Sequence, residues 1–316
     1  GMRGEGRETG TIWEFYIGHQ RQIVINHVKH LEKFNKATPK FFERVENPSL
    51  EELGATKGLL FNSDYTLWHR NRKFVVPIFT SPKFLRGFVI SVQKLFKESE
   101  HRWNSIIKDG LVLDFSLWIK CFTTDMMIHQ ITKQHSHSLA SFDTNKEIVD
   151  VKCMTDTAIN IIEKRKKELD NGVEIESDLL DHLLTSHTPR DPGYKKDDKT
   201  APLNTHEVKA ILWDILLAGI DTVNFQQSSF YIFGSDPNIE FTLEKLEECR
   251  YIDALIKESL RHVTPIPYSL KVLNGEENVA GYNWPSKTIF WIDQQTILNN
   301  PDYWSDPDSF NPDRFL

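Results

Sequence analysis

Residues 204–223, NTHEVKAILWDILLAGIDTV, decide the fold. Asn204 opens the run as a helix N-cap, and Glu207, three residues on, is its reciprocal partner in a capping box. Val208, Ile211, Leu212, Ile215, Leu216, Gly219, Thr222 and Val223 then share one stripe at helical spacing, while Trp213 and Leu217 carry apolar surface to the opposite side. A helix apolar on most faces is a buried one, so the segment predicts a central helix inside a large core. Within it Gly219 costs about 1 kcal/mol against alanine. The hydroxyl of a buried Thr222 needs an acceptor, most simply the carbonyl of Ala218 four residues back. Two readings stay open on these residues alone. Gly219 lets a second helix pack close, or glycine and threonine together loosen a groove that admits a flat ligand with a water or dioxygen.

Downstream, Leu243 to Val263 predicts another helix. Its apolar stripe is Ile252, Leu255, Ile256, Leu260 and Val263, and Glu258 and Arg261 point away from it. On their own these two form a surface ion pair worth well under about 1 kcal/mol. They become a buried network only if a second segment covers them, as the run Pro312-Asp313-Arg314-Phe315 would through Arg314. After Pro265 and Pro267 the chain turns extended, with short strands expected over Lys271–Val279 and Gly281–Trp291 and a loop over Pro301–Leu316.

Upstream, Thr11 to Ile25 reads as strand, turn and strand around Gly18-His19-Gln20. Helical patterns follow over Val28–Phe34, Tyr65–Phe79, Phe84–Ile107, Leu117–Ile131 and Ile148–Leu169, with a polar loop over Thr132–Asn145. The segment 188–203, with Pro189, Pro192, Gly193 and Pro202 amid charge, reads as an exposed crossover before the central helix. It either divides two domains or crosses over inside one. The fold class is mainly α (α+β), helix-rich with small segregated sheets. Trp68 and Arg72 share one helix face, where an indole N–H and a guanidinium can together bind a carboxylate or simply stack as a cation–π pair.

Composition sets the outer limits. The 316 residues are 39% hydrophobic and 26% charged, with a net charge of -7, the proportions of a globular domain. Nothing asks for nucleic acid; the basic run Lys164 to Lys167 reads as a solvated helix face. Cys121, Cys153 and Cys249 are far apart and odd in number, which fits a reducing environment. No apolar run approaches the roughly 18 residues of a membrane span, and no signal peptide is visible. His135-Ser136-His137, His182 and His187 read as solvated histidines rather than metal ligands. No GxGxxG, P-loop, HExxH or GxSxG is present.

The order of motifs then carries a resemblance. Trp68-His69-Arg70-Asn71-Arg72 resembles the WxxxR of the cytochrome P-450 family, Ala218 to Thr222 its AGx(D/E)T, Glu258 to Arg261 its ExxR, and Pro312 to Phe315 its PxRF. Gly281 to Pro285 and Tyr303 to Pro307 are similar to the text between the last two. The resemblance runs from about Gly10 to Leu316 and implies a single domain over 1–316. It implies haem b, dioxygen, an apolar small-molecule substrate and an electron-donating reductase. It also implies roles: Trp68, Arg72 and Lys271 for the haem propionates, Ala218 and Gly219 as a wall against the haem, Asp221 and Thr222 as a proton relay. Glu258, Arg261 and Arg314 take the place of the structural triad.

The chain departs from the family in three ways. The FxxGxxxC loop that bears the axial cysteine is not among these residues, so they supply no metal ligand. The spans from Ile131 to Ile161 and from Phe230 to Leu243 are short for the helices they replace. The expectation is a truncated chain without activity as it stands, or, in a different class, a non-catalytic remnant that binds a lipid or a protein partner. Full-length eukaryotic relatives are anchored in the endoplasmic reticulum membrane facing the cytosol.

Overall fold

A computed structural model describes residues 10–35, 38–42, 44, 48–52, 54–108, 115–132, 151–175, 178–191, 194–196, 200–225 and 249–316, with the backbone alone at 101–108, 115–117, 120, 121, 132, 151–158 and 220–225. The chain falls into two compact units, one of residues 1–48, 62–66 and 253–316 and the other of 49–61 and 67–252. The crossover 188–203 lies within the second. Both spans read as short, and the His135-Ser136-His137 tract, lie wholly or largely outside the described residues.

The first unit is built on a four-stranded sheet. Strands β1 (Ile12–Ile17) and β2 (Gln20–Ile25) form the expected hairpin, with Gly18 at φ 57 in the turn. The 3-10 turn Val28–His30 and helix α1 (Glu32–Asn35) replace the single helix expected there. From the other end of the chain come β3 (Tyr268–Val272), β4 (Glu277–Val279), β5 (Tyr282–Trp284) and β6 (Ile289–Asp293). The sheet order is β1-β2-β6-β3, with β2 and β6 parallel and the other pairs antiparallel, and β4 pairs with β5 in a separate hairpin. The two strands expected here are therefore four. Ala280 (φ 55) and Gly281 (φ 85) reverse the chain between β4 and β5, and Asn274–Gly275 and Lys287 interrupt the runs on either side. Central β2 buries Ile23, Val24 and Ile25 in succession, because both of its faces are covered. Ile23 and Ile25 meet Phe34, Phe41, Phe290 and Ile292 in the core.

The second unit is helical. After the short helix α2 (Pro48–Glu52) come α3 (Tyr65–Phe79), α4 (Pro82–Lys108), α5 (Phe115–Thr132), α6 (Val151–Asp170), α7 (Leu179–Thr185) and α8 (Thr205–Phe225). Pro77 withholds one backbone donor near the end of α3, and Pro82 opens α4 at its first position, where no donor is needed. Ser81 Oγ accepts the Phe84 amide 3.2 Å away and closes that start. The core joins Phe74, Ile162, Leu179, Leu183, Val208, Ile211 and Leu212. Helix α8 is buried on most of its surface from Val208 to Leu216, as its composition requires. Among the described residues no single helix is long and apolar enough to cross a membrane.

Helix α7 has no counterpart in the sequence reading, and with it comes a correction. Arg165, inside the basic run read as solvated, is buried; its Nε donates to Asp181 Oδ1 at 2.6 Å and its Nη2 to Oδ2 at 2.5 Å. Asp181 is 0% exposed, so this fork ties α6 to α7 by a two-point charged contact. The neighbours Lys164, Lys166 and Lys167 are exposed.

The capping box at the start of α8 forms in both directions. The Asn204 amide donates to Glu207 Oε2 at 2.9 Å and the Glu207 amide to Asn204 Oδ1 at 3.0 Å. Asn204→Ala is expected to lower unfolding stability by about 1 kcal/mol, read as a shift of the urea midpoint at constant slope.

Candidate cofactor site

Helix α9 (Arg250–His262) turns its charged face inward. Glu258 is 0% and Arg261 2% exposed, whereas Ile256, Leu260 and Val263 of the apolar stripe are exposed. This inverts the surface ion pair that α9 alone suggests. Arg261 grips Glu258 with Nε to Oε2 at 2.6 Å and Nη2 to Oε1 at 2.8 Å. Its remaining donors reach the carbonyls of Leu298 (3.2 Å) and Ser309 (3.3 Å), and Trp304 stacks beneath it at 5.5 Å. The cover is the terminal segment. The Asn311 amide donates to Glu258 Oε1 at 2.7 Å, and Arg314 Nε stands 3.4 Å from the same oxygen. Arg314 also donates to the carbonyls of Ser305, Asp306 and Ser309. Glu258, Arg261 and Arg314 thus meet. Burial works to raise the Glu258 carboxyl, but the Arg261 and Asn311 hydrogen bonds and the two arginine charges outweigh it and hold it below the ordinary 4.5.

In the second unit Trp68 is buried on α3, and the exposed guanidinium of Arg72 lies 5.2 Å from its ring centroid. No ion pair to Arg72 occurs among the described residues. On α8, Ala218 and Gly219 are half-buried. A Cβ on Gly219 would come 2.6 Å from Met127 Cε and 2.7 Å from its Sδ, the flexible end of a side chain on α5. Asp221 and Thr222 continue the helix, and their side chains lie outside the described residues.

One residue escaped the sequence reading. In the first unit Arg44 and Lys271 are electrostatic neighbours. Desolvation lowers the pKa of both, and the Arg44 charge lowers Lys271 further. Arg44 Nε is buried without a hydrogen-bond partner, and no acid pairs with either cation among the described residues. Two half-buried cations with an orphaned donor form an acceptor for an anion. Arg44 stands in no periodic pattern, so only its proximity to Lys271 in space reveals it.

These features define a helix-rich domain with small segregated sheets, a buried Glu–Arg–Arg network at the terminal loop and a long helix α8. The Cytochrome P450 family model matches residues 5–141, 129–238 and 231–316, and the chain belongs to that family. The overlaps of the three matched pieces, 129–141 and 231–238, fall at the two spans that read as short.

Among curated relatives, tabersonine 16-hydroxylase 1 of Catharanthus roseus is 32% identical over 176 residues, 49% of this chain and 33% of that protein. Cytochrome P450 71D180 of Thymus vulgaris is 21% identical over 366 aligned positions, 99% of this chain and 71% of that protein. The chain therefore spans only part of the length of these relatives. Among solved structures, retinoic acid-bound cyanobacterial CYP120A1 superposes with TM-score 0.75 at 18% identity, over 97% of this chain and 74% of that one. A zebra fish cytochrome P450 with progesterone gives 0.76 at 17% identity, over 98% and 82%. These structures share the fold.

The family's cofactor is haem. Within the first unit, Arg44 and Lys271 have no acidic partner among the described residues, a feature that fits a carboxylate-bearing group.

Glu258→Gln leaves Arg261 buried and uncompensated, and is expected to cost about 3–5 kcal/mol in urea unfolding. The native carboxyl titrates below its unfolded value of 4.5. Its contribution is therefore complete above that pH and is lost as pH falls through the lower, folded value. The Gln variant should lack this acid limb in a stability–pH profile.

Proposed function

We propose that this chain is the haem-holding body of a monooxygenase that inserts one oxygen atom of dioxygen into an apolar small molecule, with electrons drawn from a reductase. The observation that carries it is the Arg44–Lys271 pair, two half-buried cations with an orphaned guanidinium donor and no acid to meet them among the described residues. Together with the family membership, it asks for a carboxylate-bearing cofactor. Haem, when bound, supplies dioxygen activation at an iron whose family ligand is a cysteine thiolate.

The protein's residues have three tasks. Arg44 and Lys271, and separately Arg72 with the Trp68 indole N–H, hold the propionate carboxylates by charge-assisted hydrogen bonds. The apolar faces of α8 keep water from the reacting side. Thr222 Oγ1 donates a proton there and is resupplied by the neighbouring Asp221 carboxyl, which draws on solvent. Within these 316 residues no cysteine has the FxxGxxxC context. In this proposal they bind haem weakly, through propionate contacts and burial, and do not turn over by themselves.

Titration of the chain with haem, followed by reduction and carbon monoxide, tests the reading. Saturable binding without a thiolate-type Soret band is expected, weakened several-fold in Arg44→Ala and in Trp68→Phe. No saturable binding, or variants that bind as well as the parent, would sink the propionate roles. A thiolate-type band would sink the statement that these residues lack the axial ligand. In a form that also carries the cysteine loop, Thr222→Ala is expected to raise reductant consumption per product formed; unchanged coupling would remove Thr222 from the relay.

A further inference from the structure

Asp214 lies one helical turn before Ala218 on α8 and is 1% exposed. Its Oδ2 accepts the backbone N–H of Leu59 and that of Leu60, the latter at 2.9 Å. Its Oδ1 is equally buried and has no hydrogen-bond partner among the described residues. The strap that supplies the donors follows the 3-10 turn Ala55–Lys57 and is pressed onto α8. A Cβ on Gly58 would overlap Asp214 Oδ2 and sit 2.7 Å from the Ala210 carbonyl oxygen. On its other side the strap is held by α3, where Asn71 Nδ2 donates to the carbonyls of Lys57 at 2.7 Å and Gly58 at 3.4 Å. This short segment therefore joins the helix that carries Trp68 and Arg72 to the helix that carries Ala218 and Gly219.

A carboxylate in this position is poorly served. Two backbone amides reach one oxygen, and nothing reaches the other. The neutral acid loses much less on burial than the anion does. Titratable groups on the elements packed against α8 include Lys57, Asp125, His129, Arg165, Asp181 and His182, and none contributes to the electrostatics of Asp214. Among the described residues, burial and the Leu60 and Leu59 amides act on it.

We propose that Asp214 is a proton-operated clasp: neutral, it holds the strap Gly58–Leu60 against α8, and ionised, it favours release of the strap so that the carboxylate can reach water. The direction follows from linkage. Burial pushes the clasped carboxyl up to about 6 from the ordinary 3.8, against the opposing pull of the two amides. The released carboxyl, in water, returns to the ordinary value. Opening therefore sheds a proton between these two values, and the opening equilibrium climbs about tenfold per pH unit before levelling above pH 6. Acidification tightens the strap, and neutral pH leaves it at its loosest. If haem is held as proposed above, ligand entry beside α3 and α8 would slow below pH 6; the clasp itself does not rest on that reading.

Hydrogen–deuterium exchange of the full chain tests it, using peptides that cover residues 55–61, from pH 4.5 to 8, corrected for intrinsic exchange chemistry. The parent should show an opening equilibrium rising on the order of tenfold per pH unit from 4.5 to 6 and flat above. Asp214→Asn, which keeps an acceptor oxygen but cannot ionise, should be flat throughout. A flat parent, or an Asn variant with the parent's slope, would overturn the proposal. Should the variant fail to fold, the carboxyl carbon of Asp214 in labelled parent protein decides. A titration step near pH 6 supports the clasp, and a step near 4 overturns it.

Discussion

The carboxylate of Glu258, closed off from solvent, stays charged because four contacts from three residues converge on it. Arg261 supplies a two-point grip from one turn along α9, and Asn311 and Arg314 supply the rest from the terminal loop. An ion this deeply buried costs several kcal/mol to desolvate. The terminal segment is therefore held in place by the same contacts that keep the charge tolerable. Loop 301–316 contains little regular structure apart from the 3-10 turn Pro312–Phe315. Its shape is set by the carbonyls of Leu298, Ser305, Asp306 and Ser309 turning toward the two guanidinium groups.

The second unit obeys the same constraint in two other ways. Arg165 and Asp181 settle their charges on each other in a planar fork and so bind α6 to α7. Asp214 has no cation and relies on backbone amides, which leaves it far less comfortable as an anion. Helix α8 carries further contacts of this kind. Glu207 at its start closes the capping box and also pairs with Arg70 of α3 at 2.5 Å, and Gly219 further along admits Met127 of α5.

Against these satisfied charges, Arg44 and Lys271 stand out. Folded proteins seldom bring two cations together out of water without an acid. Neither has an acid among the described residues, and the carboxylate-bearing ligand of the proposal would supply one.

Local rules written into the sequence determined a good deal. The boundaries of α3, the N-terminus of α8, the β1–β2 turn at Gly18 and the burial of α8 all follow from cap residues, glycine placement and apolar period, which act within a few residues of chain. The family's four motifs were legible as text, as was the possible convergence of Arg314 on Glu258. Tertiary structure alone decided that the Glu258–Arg261 face of α9 is inside together with Leu255, while Ile256, Leu260 and Val263 of the apolar stripe stay exposed, because a charged network assembled from residues about fifty positions apart covers it. It alone drew Arg165 out of a basic run, matched Arg44 with Lys271 across more than two hundred residues, and pressed Asp214 onto the amides of Leu59 and Leu60. Those outcomes depend on what surrounds a charge in space, and the free energy of a buried charge is set by partners that no short window of sequence contains.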